Sequence, residues 1–352
     1  MNRRRFLTAT AVSAASAPCA AGVAAETSAP GVARRPLRVG FLGCSHSHAA
    51  AKIRLVLASP EWEMVGVAES EEAERSVARE LGAPLVTQAE LLDRAEVVAV
   101  ESAVRNHASH ARLALEAGKH VHLEKPAAHR LDALREVVAE ARARQRLLQV
   151  GYMWRYHPGI RFIREAVARG WLGDVYQVRG FIASRVEPDR RKEWAEFSGG
   201  VLFELGSHLI DATVRLLGRP KAVTPFLRHH GAFNDSLTDN SLVVFEYEKA
   251  TAVLTATALQ AGGTPQRSFQ VLGSNGTATL MPLEPGTLRL DLLESAGPYP
   301  KGPQDVPLAE YRRYIDDFAE LAAAARGEAK LSAGLDDELM VGETVLQACG
   351  MG

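Results

Sequence analysis

Three cysteines serve 352 residues, and one of them, Cys19, lies in an alanine-rich leader. Cys44 and Cys349 stand far apart, which offers neither a disulfide framework nor a thiolate zinc site. The net charge is only −1, from 41 basic and 42 acidic residues, so nucleic acid and anionic membranes find no charge to hold. The one extended run of small apolar residues, 9–25, is too short and small-sided for a strong membrane span. No internal repeat is present, and no low-complexity tract beyond the leader. What remains, 47% apolar and 24% charged, is a globular chain long enough for two domains.

The N-terminus reads as a targeting segment. Asn2-Arg3-Arg4-Arg5-Phe6-Leu7-Thr8 resembles the twin-arginine export motif, with Arg3 and Arg4 as the pair. Val23-Ala24-Ala25 supplies small residues for cleavage before Glu26. A signal peptide over 1–25 and a linker over 26–36 are expected, with the twin-arginine translocation machinery as partner. The location that follows is periplasmic or secreted, reached by export of an already folded protein.

From Leu37 the pattern is strand, turn and helix, repeated. Strands are predicted at Leu37–Leu42, Trp62–Ala68, Leu85–Val86, Val97–Val100, His120–Leu123 and Leu147–Gly151. Helical spacing fills the intervals, at 49–58, 71–81, 88–93, 107–116 and 131–144. This alternation requires crossovers, hence an α/β Rossmann-like parallel sheet over 37–151. After Tyr152 the rhythm changes. Helices at 160–169 and 202–217 accompany strands at 174–182, 241–247, 251–258, 268–272 and 277–280, the last two joined by Gly273-Ser274-Asn275-Gly276 as a hairpin. With closing helices at 311–326 and 336–349, residues 152–352 read as an α+β domain carrying an open, mostly antiparallel sheet.

The turn after the first strand reads GFLGCSHSH. In a dinucleotide-binding turn one glycine permits the bend, a second lets backbone approach the pyrophosphate, and a third lets the helix pack. Here Gly43 takes the first place, Ser45 the second and His48 the third. A donor from Ser45 or His46 to the pyrophosphate is expected in place of the lost backbone approach. Glu69 ends the second strand about twenty residues on, where an acid accepts hydrogen bonds from an adenosine ribose and favours NAD over NADP.

Three further segments resemble one family. They are Ser102-Ala103-Val104-Arg105-Asn106-His107 followed by the run Glu116 to Pro126 (EAGKHVHLEKP), then Gly151 to Pro158 (GYMWRYHP), then Gly199 to Asp211 (GGVLFELGSHLID). In order and spacing they are similar to the glucose–fructose oxidoreductase/inositol dehydrogenase (Gfo/Idh/MocA) family, over essentially all of the chain from Leu37. The resemblance implies an NAD(P)-dependent oxidoreductase acting on a CH–OH group of a sugar, cyclitol or glycoside. It places Lys125 at the carboxyl edge of the sheet, where an ammonium can hold a substrate hydroxyl. Glu124 would touch the nicotinamide ribose or the lysine, and Ser102 and His107 would join the cofactor site.

His208 follows Glu204 at i+4, so on an α-helix the two share one face. His208 is the expected general base, and Glu204 stands where the family usually carries aspartate. Arg155, Tyr156 and His157 are expected to line the domain junction as substrate contacts. Trp154 suits core packing as well as a sugar-stacking platform. Because nicotinamide cofactor is scarce outside the cytoplasm, an exported enzyme would keep its own. Either a second sugar regenerates it or the net reaction is redox-neutral.

Seven of eleven histidines fall between His46 and His129, and His46, His48, His107 and His122 could approach the sheet's carboxyl edge beside Glu101. Imidazole and carboxylate suit zinc or manganese, so a metal-dependent lyase or hydrolase on carbohydrates is the competing class. A third class is a non-catalytic carbohydrate-binding relative. The second sheet could also pair faces in a homo-oligomer.

Overall fold

The structure is a computed structural model describing residues 35–352, so the expected signal peptide and all but the end of the linker lie outside the described residues. From Pro36 onward the chain forms one compact unit. Its first part alternates β1 (Leu37–Leu42), α1 (Ala49–Ala58), β2 (Trp62–Ala68), α2 (Glu72–Glu80), α3 (Gln88–Arg94), β3 (Val97–Val100), α4 (His107–Glu116), β4 (His120–Leu123), α5 (Leu131–Ala143) and β5 (Leu148–Val150). The strands pair in parallel in the order β2-β1-β3-β4-β5. β3 is buried at every residue and β1 at all but Arg38, as expected for strands covered on both faces. Order reverses between β1 and β3, and ligands of such sheets lie beyond the carboxyl ends at that point.

Leu85-Val86 does not form the expected strand. Leu85 makes one isolated bridge to Val67. Pro84 precedes it, and Thr87 immediately caps α3 in a capping box with Glu90, so no length remains for a ladder.

The second part opens with α6 (Pro158–Ala168), β6 (Val175–Ala183), α7 (Pro188–Trp194) and α8 (Ser207–Leu217). There follow β7 (Ala222–Arg228), β8 (Asn240–Glu246), β9 (Thr251–Thr257), β10 (Ser268–Gly273), β11 (Gly276–Leu280), β12 (Leu288–Leu292) and β13 (Gly302–Val306). They form one sheet, β13-β12-β11-β10-β6-β9-β8-β7, antiparallel except for β6 with β9. The hairpin at 273–276 is present, with Leu272 opposite Thr277. Helices α9 (Ile315–Ala325) and α10 (Leu335–Ala348) pack back on the first part: Gln149 donates to Asp317 O, and Glu338 accepts from Val150 N. Among the described residues no helix is long and apolar enough to cross a membrane. Cys44 and Cys349 are free and buried.

Candidate active site

The glycine turn is closed from below. Gly43 has φ +76°, and a Cβ there would lie 2.5 Å from Ser102 Cα on the loop after β3. Cys44 N donates to Glu69 Oε2 at 3.0 Å, while Glu69 Oε1 accepts from Ser70 N and Glu71 N at 2.8 and 3.1 Å. Glu69 therefore fastens the turn to the end of β2, and it also lines a cavity of about 680 Å³ with Gly43, Ser45, Glu71, Glu74 and Ser102. This cavity lies at the carboxyl ends of β1, β2 and β3. Its residues fit an adenosine and its ribose: a close backbone approach at Gly43, and carboxylates facing the hydroxyls.

His46 does not serve this cavity as expected. Its ring is buried and turned inward, with Nε2 3.5 Å from Glu204 Oε1 and Nδ1 accepting from His48 N at 3.3 Å. Ser45 is left as the side chain of that pair facing the phosphate side. Burial holds His46 down to about 4, against the pull of Glu124 and Glu204. His107 is likewise unavailable to a cofactor. It is fully buried at the start of α4, with its nitrogens 2.8 and 2.9 Å from the carbonyls of Pro126 and Ser102.

A second cavity, of about 320 Å³, opens between the two sheets and is lined by His48, Lys125, Trp154, Trp194, Glu204 and His208 among others. Lys125 Nζ lies 2.6 Å from Glu204 Oε1 and 2.9 Å from Glu204 O. Burial would raise Glu204, but Lys125 and His46 outweigh it and keep the carboxyl well below its ordinary range. His208 packs against the Trp154 ring at 4.9 Å, with Nδ1 buried and without a partner. Burial, reinforced by the charge on Lys125, holds His208 neutral. The geometry that unites Glu204 and His208 is not an α-helical face: Leu202–Gly206 is a π-turn running into α8. Such turns widen a helix locally and recur at functional sites.

Between the cavities lies a small void touching Ala103 and Arg105 on one side and Trp194 and Glu204 on the other. Across it Arg105 Nη2 meets Glu196 Oε2 at 2.9 Å, tying the loop after β3 to the segment after α7.

Beneath the cavity floor sits a cluster around Lys52. Its Nζ lies 2.7 Å from Glu101 Oε1 and 2.8 Å from His122 Nε2, and donates a short hydrogen bond to Glu124. Glu124 also accepts from His48 Nδ1 at 3.2 Å and from Lys125 N at 2.9 Å. Glu124 is fully buried, and its carboxylate meets the Lys52 ammonium and the backbone N–H of Lys125. Burial alone would lower the Lys52 ammonium; Glu101 and Glu124 reverse that and fix it as charged. Burial, with Lys52 alongside, pushes His122 down to about 3.

The expected histidine set does not converge on one point. His107 is held by carbonyls and His122 by Lys52 and Gln149. Two groups do have metal-like spacing, His46-His48-Glu124 and Glu101-His122-Glu124. Both depend on Glu124, whose oxygens are already engaged by Lys52, His48 and Lys125 N.

The three residues expected at the domain junction are structural. Arg155 is buried and doubly paired, to Asp211 Oδ1 at 2.7 Å and Glu338 Oε1 at 2.7 Å. Tyr156 OH donates to Glu320 Oε2 at 2.5 Å and accepts from Gln149 Nε2. His157 caps α6, Nδ1 accepting from Gly159 N at 3.1 Å. Each sits in a polar, motif-like string, yet the short helical turn Met153–Tyr156 aims Arg155 at α8 and α10 and Tyr156 at α9, while His157 packs on Tyr311. Sequence reasoning missed Lys52, Trp194, Arg267 and Arg313. Only Lys52 left a signal, a lysine on the apolar face of α1 four residues after His48.

Comparison with known proteins agrees with this architecture. Residues 37–152 match a family model described as an oxidoreductase family with an NAD-binding Rossmann fold. Residues 160–279 match the GFO/IDH/MocA C-terminal domain. The chain belongs to the GFO/IDH/MocA oxidoreductase family. It is 30% identical to a dTDP-3,4-didehydro-2,6-dideoxy-alpha-D-glucose 3-reductase of Streptomyces violaceoruber, over 70% of this chain and 73% of that protein. Identity to the D-glucoside 3-dehydrogenase of Escherichia coli K12 is 31%, over 53% of this chain and 55% of that one. The crystal structure of GenD2 from gentamicin A biosynthesis, in complex with NAD, shares the fold with a TM-score of 0.75 at 23% identity, over 91% and 95% of the two chains. As a member of this family the protein is an NAD(P)-binding oxidoreductase with a Rossmann domain, as the sequence motifs implied.

Proposed function

We propose that the protein oxidises or reduces a secondary hydroxyl carbon of a sugar, cyclitol or glycoside, using NAD. The observation that carries this reading is Lys125 Nζ, held 2.6 Å from the Glu204 carboxylate in the cavity that His208 also lines. Relatives named for sugar-hydroxyl redox chemistry support it. Three carboxylates against two arginines line the nucleotide cavity, a balance that suits ribose hydroxyls and disfavours a 2′-phosphate.

When bound, the nicotinamide supplies the acceptor or donor of the hydride. Gly43, Ser45 and Ser102 would hold the nucleotide, with Glu69 at its ribose end. Lys125, a cation, donates a hydrogen bond to the substrate oxygen and stabilises charge that develops there. Glu204 keeps that ammonium oriented and charge-balanced. His208, held neutral by burial and lining the same cavity, is the group placed to take the hydroxyl proton on oxidation and return it on reduction.

The arginine pair at Arg3-Arg4 supports export in the folded state, with the cofactor already in place. A retained cofactor is then recycled within the active site, by a second sugar or by a redox-neutral sequence. Mass spectrometry of small molecules released from the purified exported protein tests this. NAD should appear in stoichiometric amount, and Lys125→Met should keep it while losing at least about a hundredfold in turnover. Protein that neither carries NAD nor binds it in calorimetry removes the reading. Metal-assisted lyase or hydrolase chemistry is the second reading, resting on His46, His48 and Glu124 lying within 4.8 Å of one another. Stoichiometric zinc or manganese by elemental analysis would promote it.

A further inference from the structure

Among the described residues that line the second cavity, one cation has no carboxylate within ion-pair distance. Lys125 is paired with Glu204 at 2.6 Å, Arg185 with Glu187 at 4.0 Å, Arg190 with Glu193 at 3.7 Å and Arg313 with Glu284 at 2.7 Å. Arg267 lines the same cavity and has no carboxylate within 4.0 Å among the described residues. It is half-buried and immediately precedes β10.

Its backbone-facing side is anchored. Nε donates to Ala183 O at 3.0 Å and Nη2 to Ser184 Oγ at 3.3 Å, both at the exit of β6. A guanidinium carries five N–H donors in a rigid plane. Two are engaged, and the remaining three have no protein acceptor among the described residues, although the group lines the cavity. Burial pushes Arg267 down from its ordinary value, Glu284 opposes this and Arg313 adds to it, yet a guanidinium at this level stays ionised at neutral pH. A fixed fork with its outer edge open is the geometry that grips a carboxylate or phosphate with two parallel hydrogen bonds.

We propose that Arg267 receives an oxyanion substituent, carboxylate or phosphate, so that the substrate is an acidic monosaccharide. The cavity volume of about 320 Å³ lies at the lower end of the range for small-molecule sites, which suits a single sugar ring. Trp194, buried beside the same space, adds an apolar wall for the ring. The proposal rests on the reading of this cavity as the place of a sugar substrate, with Lys125 and His208 at the reacting carbon.

The test is calorimetric titration of the purified full chain with D-glucuronate, D-galacturonate and D-glucose 6-phosphate, against D-glucose and D-galactose. At least one acid should bind about tenfold or more tightly than its neutral counterpart. Preference for the uronates identifies a carboxylate, and preference for the 6-phosphate identifies a phosphate. Arg267→Gln should bring acid and neutral sugar to within about threefold, and Arg267→Lys should keep part of the difference, since it retains charge without the fork. Equal binding of acids and neutral sugars by the unmodified protein, absence of binding by all five, or a preference that survives Arg267→Gln overturns the proposal. The unmodified protein decides the matter even if the glutamine variant does not fold. Titration with NAD in parallel keeps the two readings apart: loss of NAD binding with acid preference intact removes the redox reading alone, whereas NAD binding without acid preference removes only this one.

Discussion

Lys52 Nζ lies 2.7 Å from Glu101 Oε1 at a depth where neither side chain has any exposure to solvent. The pair sits under the carboxyl ends of β3 and β4 and, through Glu124, fixes the ring of His48 and the backbone of Lys125. A buried ion pair is weak evidence for stability, but removing one partner leaves the other charge without compensation.

Lys52→Met should therefore destabilise the fold by about 3–5 kcal/mol. Adding Glu101→Gln to the same chain should restore part of the loss. Urea unfolding midpoints of the two variants check this, and a double variant no more stable than Lys52→Met alone would contradict it.

Asp317 is buried with neither carboxylate oxygen partnered, and burial pushes it up to about 7. Its ordinary value is 3.8, so between roughly pH 4 and 7 the unfolded chain releases a proton that the folded chain retains. Stability from this group is full at low pH and declines as pH rises. Asp317→Asn should remove that decline, its advantage widening from pH 4 to 7 to a limit on the order of 4 kcal/mol. Melting temperatures of both proteins across this range give the readout. His46 acts oppositely, contributing fully above about pH 6.5 and losing that contribution as pH falls towards about 4.

Gly43→Ala meets both strain and contact, since φ is +76° and the new Cβ would stand 2.5 Å from Ser102 Cα. Gly82→Ala has the same kind of φ, +73°, with nothing within 4 Å. Both should lose about 1 kcal/mol or more to backbone strain. Only Gly43→Ala should weaken NAD by about tenfold or more, which calorimetry on the two variants resolves.

Arg155→Met leaves Asp211 and Glu338 buried without their cation. The expected cost is about 3–5 kcal/mol in unfolding free energy, with NAD affinity per folded molecule unchanged. A fall in NAD affinity with stability intact would return Arg155 to the site from which the structure removes it.

The parallel sheet was legible because its strands are short apolar runs between helices of clear period, with breakers at the joints. Three strands of the larger sheet were not: the short β12 and the two edge strands. β7 contains Pro225, and β13 contains Gly302 and Pro303, residues that disqualify an interior strand but are tolerated where one side has no neighbour. Within the candidate site, Lys125, Glu204 and His208 were picked out by motif, and the structure brings the three to one cavity. Arg155, Tyr156 and His157 carried the same kind of polar signature, and pattern cannot distinguish a side chain that meets substrate from one that meets Asp211 or Glu320. Arg267 gave no signal, since being uncompensated is a property of its neighbours in space and not of its place in the chain.

Lys52 has one more consequence. A covalently tethered ammonium, seated between two carboxylates and an imidazole, fills the role that many proteins assign to a dissolved ion. No chelator can strip it, no competing metal can displace it, and dilution cannot empty it. The electrostatic footing of the sheet's edge is thus inherited with the polypeptide and owes nothing to the ionic contents of the surroundings.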